Sequence, residues 1–354
     1  MEDIRRVLLV RFGSLGDVVH ALPALATLKR SFPSWEVDWL VESRWRPLLQ
    51  GNPCLRRIVE VDTLAWRNAP LSRGVWESFG SVTRELRERR YDLALDLQGA
   101  LKSAIACCLS GARAVVGFER PWLREPGASV FYTQRVQPRA VHVVEANLGL
   151  VASLGAREVA IEFPLPLGDE RQLPPELLRE SMAVVNPGAG WRAKQWSVEG
   201  YAQLCDALEG TYSLPVALNC GPGEERLAEQ VQRACRRSQP VIYSGTLPGL
   251  IALLRRARIL VAPDTGPLHL AAALGVPTVG LFGPTDPRRN GPYGDRHRVL
   301  RPADAFTSHN HSAEPAVMQR IQPGEVLQAV RDLLGAGSVA LAGSAARLGN
   351  TASG

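Results

Sequence analysis

Short apolar runs alternate with longer amphipathic stretches along most of the chain, and this alternation predicts strands and helices in turn. Apolar runs of about four or five residues bounded by turn residues are typical of strands buried on both faces of a parallel sheet. Helices are predicted between them, for instance at 18–31, 101–109 and 247–256. The predicted strands are 7–10, 37–41, 57–61, 92–96, 115–117, 182–186, 216–220, 240–243, 259–262 and 278–282. The pattern predicts an α/β fold with doubly wound parallel sheets.

The stretch 258–287 shows the pattern most clearly, as strand, polar turn, helix and strand. Thr265 and Gly266 stand at the start of the helix, where free N–H groups and the helix dipole favour an anion. Asp264 and His269 flank that point with a carboxylate and an imidazole. A simple capped helix is the alternative. A second polar loop follows the next strand, and two such loops at neighbouring strand ends favour a ligand crevice.

The first strand is followed by a glycine-rich turn, RFGSLGD, at 11–17. Its spacing is G-x-x-G rather than G-x-G-x-x-G, and no ribose-binding acid follows at the usual distance. A dinucleotide site is therefore a poor interpretation. Asp17 closes the turn at the start of a helix, where an acid either caps the helix or takes part in chemistry.

A proline-rich segment without periodicity separates two α/β halves. Residues 162–179 hold four prolines, and the strand–helix alternation resumes after them. The sequence predicts a Rossmann-like first domain at 1–165, a linker at 166–180 and a Rossmann-like second domain at 181–335. The last stretch, 336–354, is rich in Gly, Ala and Ser and is expected to be disordered.

Composition is that of a globular protein, with 45% hydrophobic and 21% charged residues. The formal charge is +6, and residues 1–150 carry 21 Lys/Arg against 16 Asp/Glu, which places +5 of it there. A basic first half suits an acidic partner, either nucleic acid or an anionic lipid surface, although a solvated basic surface would look the same. The start has too short an apolar core for a signal peptide, and no run reaches the ~20 apolar residues of a membrane span. The six scattered cysteines lack metal-site spacing and are expected to be buried thiols in a reducing compartment.

Seven separate stretches together resemble the lipopolysaccharide heptosyltransferases, inverting glycosyltransferases of family 9. The REP…FY stretch is more similar to heptosyltransferase I than to heptosyltransferase II. The resemblance implies the GT-B architecture, with two Rossmann-like domains facing a cleft. The stretches, in order, are RFGSLGDVVHALPAL (11–25), LDLQGALKSA (95–104), REPGASVFY (124–132), HVVEANL (142–148), NPGAGWRAKQW (186–196), GPGEERLA (221–228) and PDTGPLHLAAALGVPTVGLFGPTDP (263–287).

The resemblance also implies roles for individual residues. Asp17 would be the base that takes the proton from the acceptor hydroxyl. Lys194 would supply a point charge for the donor diphosphate, and either Glu224 or Glu225 would contact the ribose. Since a lysine and a helix N-terminus can meet the leaving-group charge, neither a metal nor a cofactor is expected. The implied donor-site residues are Lys194, Glu224, Glu225, Asp264, Thr265, Gly266 and His269.

The acceptor is expected on the basic first domain, because guanidinium groups suit Kdo carboxylates and lipid A phosphates. Trp66 and Trp122 lie beside two of the candidates and either face sugars or a membrane interface or are simply buried. The competing interpretation of Arg124 is that it pairs internally with Glu125 or another acid and only holds a loop. The acceptor-binding candidates are Arg67, Arg120, Arg124 and Arg139. Where some family members carry cysteines before the last helix, this chain has His309 and His311, which read as surface residues rather than metal ligands.

The sequence thus predicts transfer of heptose from ADP-L-glycero-D-manno-heptose to the inner Kdo of Kdo-lipid A. The enzyme is expected to be cytoplasmic and peripheral at the anionic cytoplasmic face of the inner membrane. The alternatives are a heptosyltransferase II-like enzyme, another nucleotide-sugar transferase or a GT-B epimerase. A non-catalytic nucleotide- or nucleic-acid-binding module is disfavoured, because no nucleic-acid-binding motif is present.

Overall fold

The computed structural model describes residues 4–68, 72–178, 181–308 and 315–348, without the side chains of Arg67, Pro315 and 336–348. The chain divides into two compact units, Met1–Pro166 and Leu167–Gly354. Each unit contains one six-stranded sheet in which every pairing is parallel. Within the described residues, no helix combines the length and the apolarity that crossing a membrane requires.

The first unit is built around its first strand, which is the third in the sheet order β3-β2-β1-β4-β5-β6. Residues 7–10 of that strand are fully buried, as expected where helices cover both faces of a parallel sheet. The elements are β1 (Arg6–Val10), α1 (Leu15–Ser31), β2 (Glu36–Glu42), α2 (Arg46–Leu49), β3 (Arg57–Val61), α3 (Thr63–Asn68), α4 (Arg73–Glu88), β4 (Leu93–Asp96), α5 (Leu101–Leu109), β5 (Ala114–Phe118), β6 (Gln134–Val136) and α6 (Val143–Ala152).

The second unit repeats this topology with different side chains. Its sheet order, β9-β8-β7-β10-β11-β12, is the same 3-2-1-4-5-6 arrangement counted from its own first strand. The prediction of two Rossmann-like domains is confirmed. The elements are β7 (Met182–Val185), α7 (Val198–Tyr212), β8 (Val216–Asn219), α8 (Glu225–Ala234), β9 (Val241–Tyr243), α9 (Leu247–Arg256), β10 (Ala257–Pro263), α10 (Gly266–Ala273), β11 (Thr278–Leu281), α11 (Pro287–Asn290), β12 (His297–Leu300) and α12 (Pro323–Leu348).

Two strands that the sequence analysis did not predict, β6 and β12, lie at sheet edges. They are only three and four residues long, and each contains an exposed arginine. An edge strand is covered less completely than a central one, so it does not need a continuous apolar run. Hydrophobic patterning therefore gives no signal for either strand.

The chain segments at 167–178 and at the C-terminus also differ from the sequence prediction. The proline-rich segment belongs to the second unit, where Asp169 N–H donates to Pro248 O at 2.9 Å. Gly168, at φ +88°, lies so close to α9 that a Cβ there would be 2.5 Å from Ala252 N. The last helix continues to Leu348, through residues expected to be disordered. Alanine and leucine favour a helix there, and no proline interrupts it.

We expect Ser197→Ala to open the first turn of α7. The Ser197 hydroxyl accepts a hydrogen bond from Gly200 N–H at 3.1 Å, and losing such a cap costs about 1 kcal/mol. The Gly200 amide should then exchange with solvent deuterium roughly fivefold faster. Ser72→Ala is the matched control, because Ser72 precedes α4 without a side-chain cap bond. Equal acceleration at both helix starts would contradict the capping role of Ser197.

Candidate active site

In each unit some candidate residues follow the carboxyl ends of the two strands where the strand order reverses: Asp17 follows β1, Lys194 follows β7 and Asp264 follows β10. In the first unit this point lies between β1 and β4, and in the second between β7 and β10. Loops after such a pair of strands leave on opposite sides of the sheet and open a crevice, which is where ligands bind in open α/β sheets.

Asp17 is held at the start of α1 by three contacts. Its Oδ1 lies 2.5 Å from Arg11 Nη2, and its Oδ2 accepts from Ser14 N–H at 2.8 Å and Ser14 Oγ–H at 3.1 Å. The Arg11 side chain is 8% exposed, whereas that of Asp17 is 34% exposed. Asp17 therefore caps the helix. Its carboxylate is nevertheless partly exposed to solvent, although it contacts the buried guanidinium of Arg11.

Arg11 is in turn fixed by the loop that follows β4. Its Nη1 donates to Leu97 O, and the next residue, Phe12, donates its N–H to Gln98 Oε1 at 2.8 Å. The two loops at the reversal point of the first sheet are therefore tied together by side chains. The position of Asp17 depends on the conformation of the β4–α5 loop.

The β4–α5 loop is organised by Asp96, which is completely buried at the end of β4. Its Oδ1 accepts from the N–H groups of Gln98 and Gly99 at 2.8 and 3.1 Å. Its Oδ2 accepts from Ser103 Oγ–H at 2.9 Å and Tyr132 O–H at 2.7 Å. Burial raises the pKa of Asp96, and these donors act against that rise. The sequence analysis missed Asp96, although it ends the strand in the quoted LDLQG stretch.

A cluster of three cations lies beside the β1–α1 loop and includes one predicted acceptor residue. Lys102 Nζ is 5.3 Å from the centroid of the Phe12 ring. Partial burial lowers the pKa of Lys102. Among the neighbouring charges Glu42 has the largest effect and raises this pKa, Arg124 and Arg44 lower it, and Glu125 raises it. Mutual repulsion of this kind is relieved when an anion binds. Lys102 and Arg44 were not predicted, although Lys102 lies in the quoted LDLQGALKSA stretch.

The structure bears on one part of the competing interpretation of Arg124, its pairing with Glu125. Glu125 Oε2 accepts a hydrogen bond from Leu101 N–H at 2.6 Å and so caps α5. Among the described side chains no ion pair joins Arg124 to Glu125. The glutamate caps the helix, and Arg124 is exposed.

The other acceptor candidates do not join this cluster in any described contact. Arg120 Nε donates to Ser129 Oγ at 3.1 Å, and Arg139 is exposed in the segment between β6 and α6. Arg67 lies in α3, but its side chain is outside the described part. Trp66 packs edge-on against Phe79 and Trp122 lies against Phe118, so both rings have aromatic neighbours.

In the second unit Asp264 joins two of the predicted donor residues. Its Oδ2 is 2.6 Å from Lys194 Nζ, and its Oδ1 is 3.1 Å from His269 Nε2. Lys194 also donates to the Asp264 carbonyl oxygen at 3.2 Å. Burial alone would raise the pKa of Asp264, but the hydrogen bond from His269 and the charge of Lys194 outweigh it and hold that pKa well below its usual range.

The two glutamates that the sequence could not separate occupy different places. Glu224 Oε2 accepts from Gly221 N–H at 2.9 Å, and a Cβ on Gly188 would lie 1.9 Å from the same oxygen. The Glu224 carboxylate thus reaches the loop after β7, which also carries Lys194. Glu225 Oε1 accepts from Ser244 Oγ at 3.3 Å, in the segment after β9. Only Glu224 contacts the β7 loop among the described contacts.

Thr265 and Gly266 begin α10, as predicted. Thr265 is the cap residue, and its hydroxyl donates to Pro263 O at 3.1 Å instead of capping the helix. The first N–H groups of a helix lack intrahelical acceptors, so this end can receive an anion. His309 and His311 fall outside the described residues. Within the described ranges no group of three His, Cys, Asp or Glu side chains has the arrangement of a metal site.

Comparison with known proteins gives one consistent result. The model of glycosyltransferase family 9 (heptosyltransferase) matches residues 79–317. The lipopolysaccharide heptosyltransferase 1 of Pseudomonas aeruginosa is 38% identical over 306 residues, covering 82% of this chain and 81% of that protein.

Two solved structures of the E. coli heptosyltransferase WaaC are similar over nearly their whole length. The complex with ADP has a TM-score of 0.79 at 26% identity and covers 93% of this chain and 99% of that one. The complex with ADP-2-deoxy-2-fluoro heptose has a TM-score of 0.76 at 26% identity, covering 92% and 99%. The two sheets thus form the GT-B architecture of a glycosyltransferase, and the chain belongs to glycosyltransferase family 9, the heptosyltransferases.

Proposed function

We propose that this protein transfers the heptose of ADP-L-glycero-D-manno-heptose to the inner Kdo of Kdo-lipid A, with inversion at the anomeric carbon. The observation that carries the proposal is the 38% identity to a lipopolysaccharide heptosyltransferase 1 over 82% of the chain. The likeness to a structure containing an ADP-heptose analogue supports the choice of donor. Residues at the two strand-order reversal points and in the neighbouring loops are proposed to remove the proton, to stabilise the leaving group and to bind the acceptor.

Asp17 serves as the general base. Ser14 and Arg11 use three of the roughly four acceptor positions of its carboxylate, which leaves one for the acceptor hydroxyl. As the hydroxyl oxygen attacks the anomeric carbon, its proton passes to Asp17 and the bond to the ADP oxygen breaks. One displacement needs one base, so no nucleophilic side chain is required.

Lys194 and the start of α10 meet the charge of the departing diphosphate. A lysine ammonium has three donors, and Asp264 accepts two of them through Oδ2 and its carbonyl oxygen. The third is available to a phosphate oxygen without breaking the buried pair. Thr265 and Gly266 contribute the helix N-terminus, and Glu224 accepts hydrogen bonds from the ribose hydroxyls.

The cations around Lys102 receive the anionic acceptor. The charges of Arg124 and Arg44 both lower the pKa of Lys102, and a Kdo carboxylate or a lipid A phosphate bound nearby would relieve this repulsion. Arg67, Arg120 and Arg139 are proposed to extend this basic surface. The excess charge of +5 in residues 1–150 would also draw the protein to the anionic cytoplasmic face of the inner membrane as a peripheral enzyme.

The direct test is ADP release from ADP-heptose, measured by a coupled assay with and without Kdo-lipid A. Release should require the acceptor and should be unchanged by EDTA, because Lys194 and α10 take the place of a metal in this proposal. Release without any acceptor would instead indicate an epimerase or a hydrolase. Transfer only to an acceptor that already carries a heptose would indicate heptosyltransferase II activity.

Asp17→Asn should lower kcat by about 10²- to 10⁴-fold, the usual contribution of a general base, while ADP affinity is kept. Asp92→Asn is the matched control. Like Asp17, Asp92 accepts two hydrogen bonds and faces an arginine, although both of its donors are backbone N–H groups. It precedes β4 and therefore lies at the amino ends of the strands, away from Asp17. Near-normal turnover in a folded Asp17→Asn protein, or equal losses in both variants, would show that Asp17 is only a helix cap.

Glu224→Gln should weaken ADP binding, while Glu225→Gln should not. A hydrogen bond to a charged group contributes about 1.5–3 kcal/mol, so the expected loss is roughly 10- to 150-fold. The comparison is sharp because the two residues are adjacent at the start of one helix, and only Glu224 reaches the β7 loop. Calorimetric titration with ADP measures both. Equal affinities of the two variants would remove Glu224 from the donor site.

Arg124→Ala should raise the KM for Kdo-lipid A by about 10-fold or more and leave the KM for ADP-heptose unchanged. Added salt should act in the same direction, because the exposed part of the attraction is screened beyond about 8–10 Å. Arg113→Ala is the control. Arg113 is 78% exposed, but it precedes β5 and therefore lies at the amino ends of the strands, away from the candidate site. A defect confined to the donor would contradict the assignment.

A further inference from the structure

Two cysteines of the second unit lie where α7 and α8 pack against each other. Cys205 is fully buried in α7, and Cys235 is half-buried directly after the last residue of α8. The Cys235 S–H donates to Val231 O in its own helix at 3.2 Å, and the Cys235 sulfur lies 4.0 Å from the carbonyl oxygen of Ala202, which is one turn before Cys205 on α7. Cys235 packs against the apolar core of the second unit, and Cys205 is part of that core. The pair takes no part in the proposed transfer reaction.

The residue after Cys205 fixes the two thiols in this arrangement. Asp206 accepts hydrogen bonds from the backbone N–H groups of Arg236 and Arg237 at 2.9 Å each and of Ser238 at 2.8 Å. The Ser238 hydroxyl adds a fourth bond at 2.9 Å. The segment that carries Cys235 is therefore bound to α7 next to Cys205 by four hydrogen bonds to one carboxylate.

Cys235 is also accessible. A surface depression of about 430 Å³ opens beside it. Two of the residues that line it are arginines. The pKa of Cys235 is lowered, chiefly by the neighbouring Cys205 thiol and further by the Ser238 hydroxyl, while partial burial and the charges of Asp206 and Glu209 act in the opposite direction. The lining residues are Gln232, Cys235, Arg236, Arg237, Ser238 and Gln239.

Three other cysteines have the opposite character. Burial is the main influence on Cys54, Cys107 and Cys220, and it raises the pKa of each thiol. A raised pKa leaves less thiolate and makes such cysteines inert towards oxidants and alkylating agents. The environment of Cys235 is therefore not shared by these three.

We propose that Cys205 and Cys235 form a reversible, redox-active dithiol, with Cys235 as the attacking thiolate and Cys205 as the resolving thiol. The oxidant is a peroxide. The Cys235 thiolate attacks one peroxide oxygen, the O–O bond breaks, and the products from hydrogen peroxide are a sulfenic acid and hydroxide. The Cys205 sulfur then attacks the Cys235 sulfur, forms the disulfide and releases water, the Cys205 proton going to the departing hydroxyl. A dithiol compound reverses the reaction by thiol–disulfide exchange.

The test uses the full-length reduced protein and dilute hydrogen peroxide, followed by intact-mass measurement and tryptic mapping without reductant. We expect a loss of about 2 Da, reversed by dithiothreitol, since disulfide formation removes two hydrogens. Trypsin should release residues 195–226 linked to 234–236. Fragmentation must place the link at Cys205 rather than Cys220. The absence of this linked peptide, or a link through another cysteine, would overturn the proposal.

Single variants separate the two roles. Cys205→Ser should lose no mass, and its Cys235 should instead be trapped as a sulfenic acid by dimedone. Cys235→Ser should give neither product, and Cys108→Ser should behave as the unmodified protein. Loss of about 2 Da by either member of the pair alone would contradict the assignment.

Alkylation provides a measurement that does not need oxidation. Cys235 should react with iodoacetamide about tenfold faster than Cys54, which is also half-buried but has a raised pKa. Equal rates at the two cysteines would show that Cys235 is not activated and would refute its role as the attacking thiolate.

Discussion

The ion pair between Arg11 and Asp17 is the contact on which the proposed chemistry depends. A carboxylate that is partly exposed at a helix start would ordinarily be free to change its rotamer. Here Arg11 fixes one oxygen and Ser14 the other. Arg11 itself is buried and bonded to Leu97, whose loop is shaped by the fully buried Asp96. A chain of hydrogen bonds thus runs from the sheet interior to the reactive oxygen, and such preorganisation is what a positioned base requires.

The second unit also fixes a charged side chain at the point where its strand order reverses. Lys194 follows β7 and Asp264 follows β10, so their ion pair spans the reversal point of the second sheet just as the Arg11–Leu97 hydrogen bond spans that of the first. Each crevice is bridged by a cation from one loop and an oxygen acceptor from the other. Asp264 is held ionised by His269 and Lys194, and it positions the ammonium without using all of its donors. The shared topology explains why two halves without sequence repetition place their functional groups alike.

Much of this organisation was predictable from the sequence, and the exceptions have physical causes. Central strands were found because burial on both faces demands continuous apolar residues, whereas β6 and β12 are short edge strands without that demand. The loops with Asp17, Lys194 and Asp264 were found because turn residues follow apolar runs. Asp96 was missed because a buried carboxylate is recognised only by its donors, which include a residue as distant as Tyr132.

The direction in which adjacent side chains point is the other feature that the sequence did not predict. Adjacent residues at a helix start point about 100° apart, so Glu224 and Glu225 have equal claims in the sequence and different neighbours in space. Arg124 and Glu125 are also adjacent in the sequence. In the structure the Glu125 carboxylate caps α5 by accepting a hydrogen bond from Leu101 N–H. The pair of Cys205 and Cys235 is 30 positions apart in the sequence and becomes visible only when α7 and α8 pack.

The central claim is that a single carboxylate, Asp17, drives one direct displacement. The measurement that tests it most directly is the anomeric configuration of the transferred heptose, determined by NMR on the product formed from ADP-heptose of known configuration. A direct displacement predicts that the new glycosidic bond has the configuration opposite to that of the donor. Retained configuration, the outcome of a double displacement through an enzyme nucleophile as in retaining glycosidases, would contradict the account.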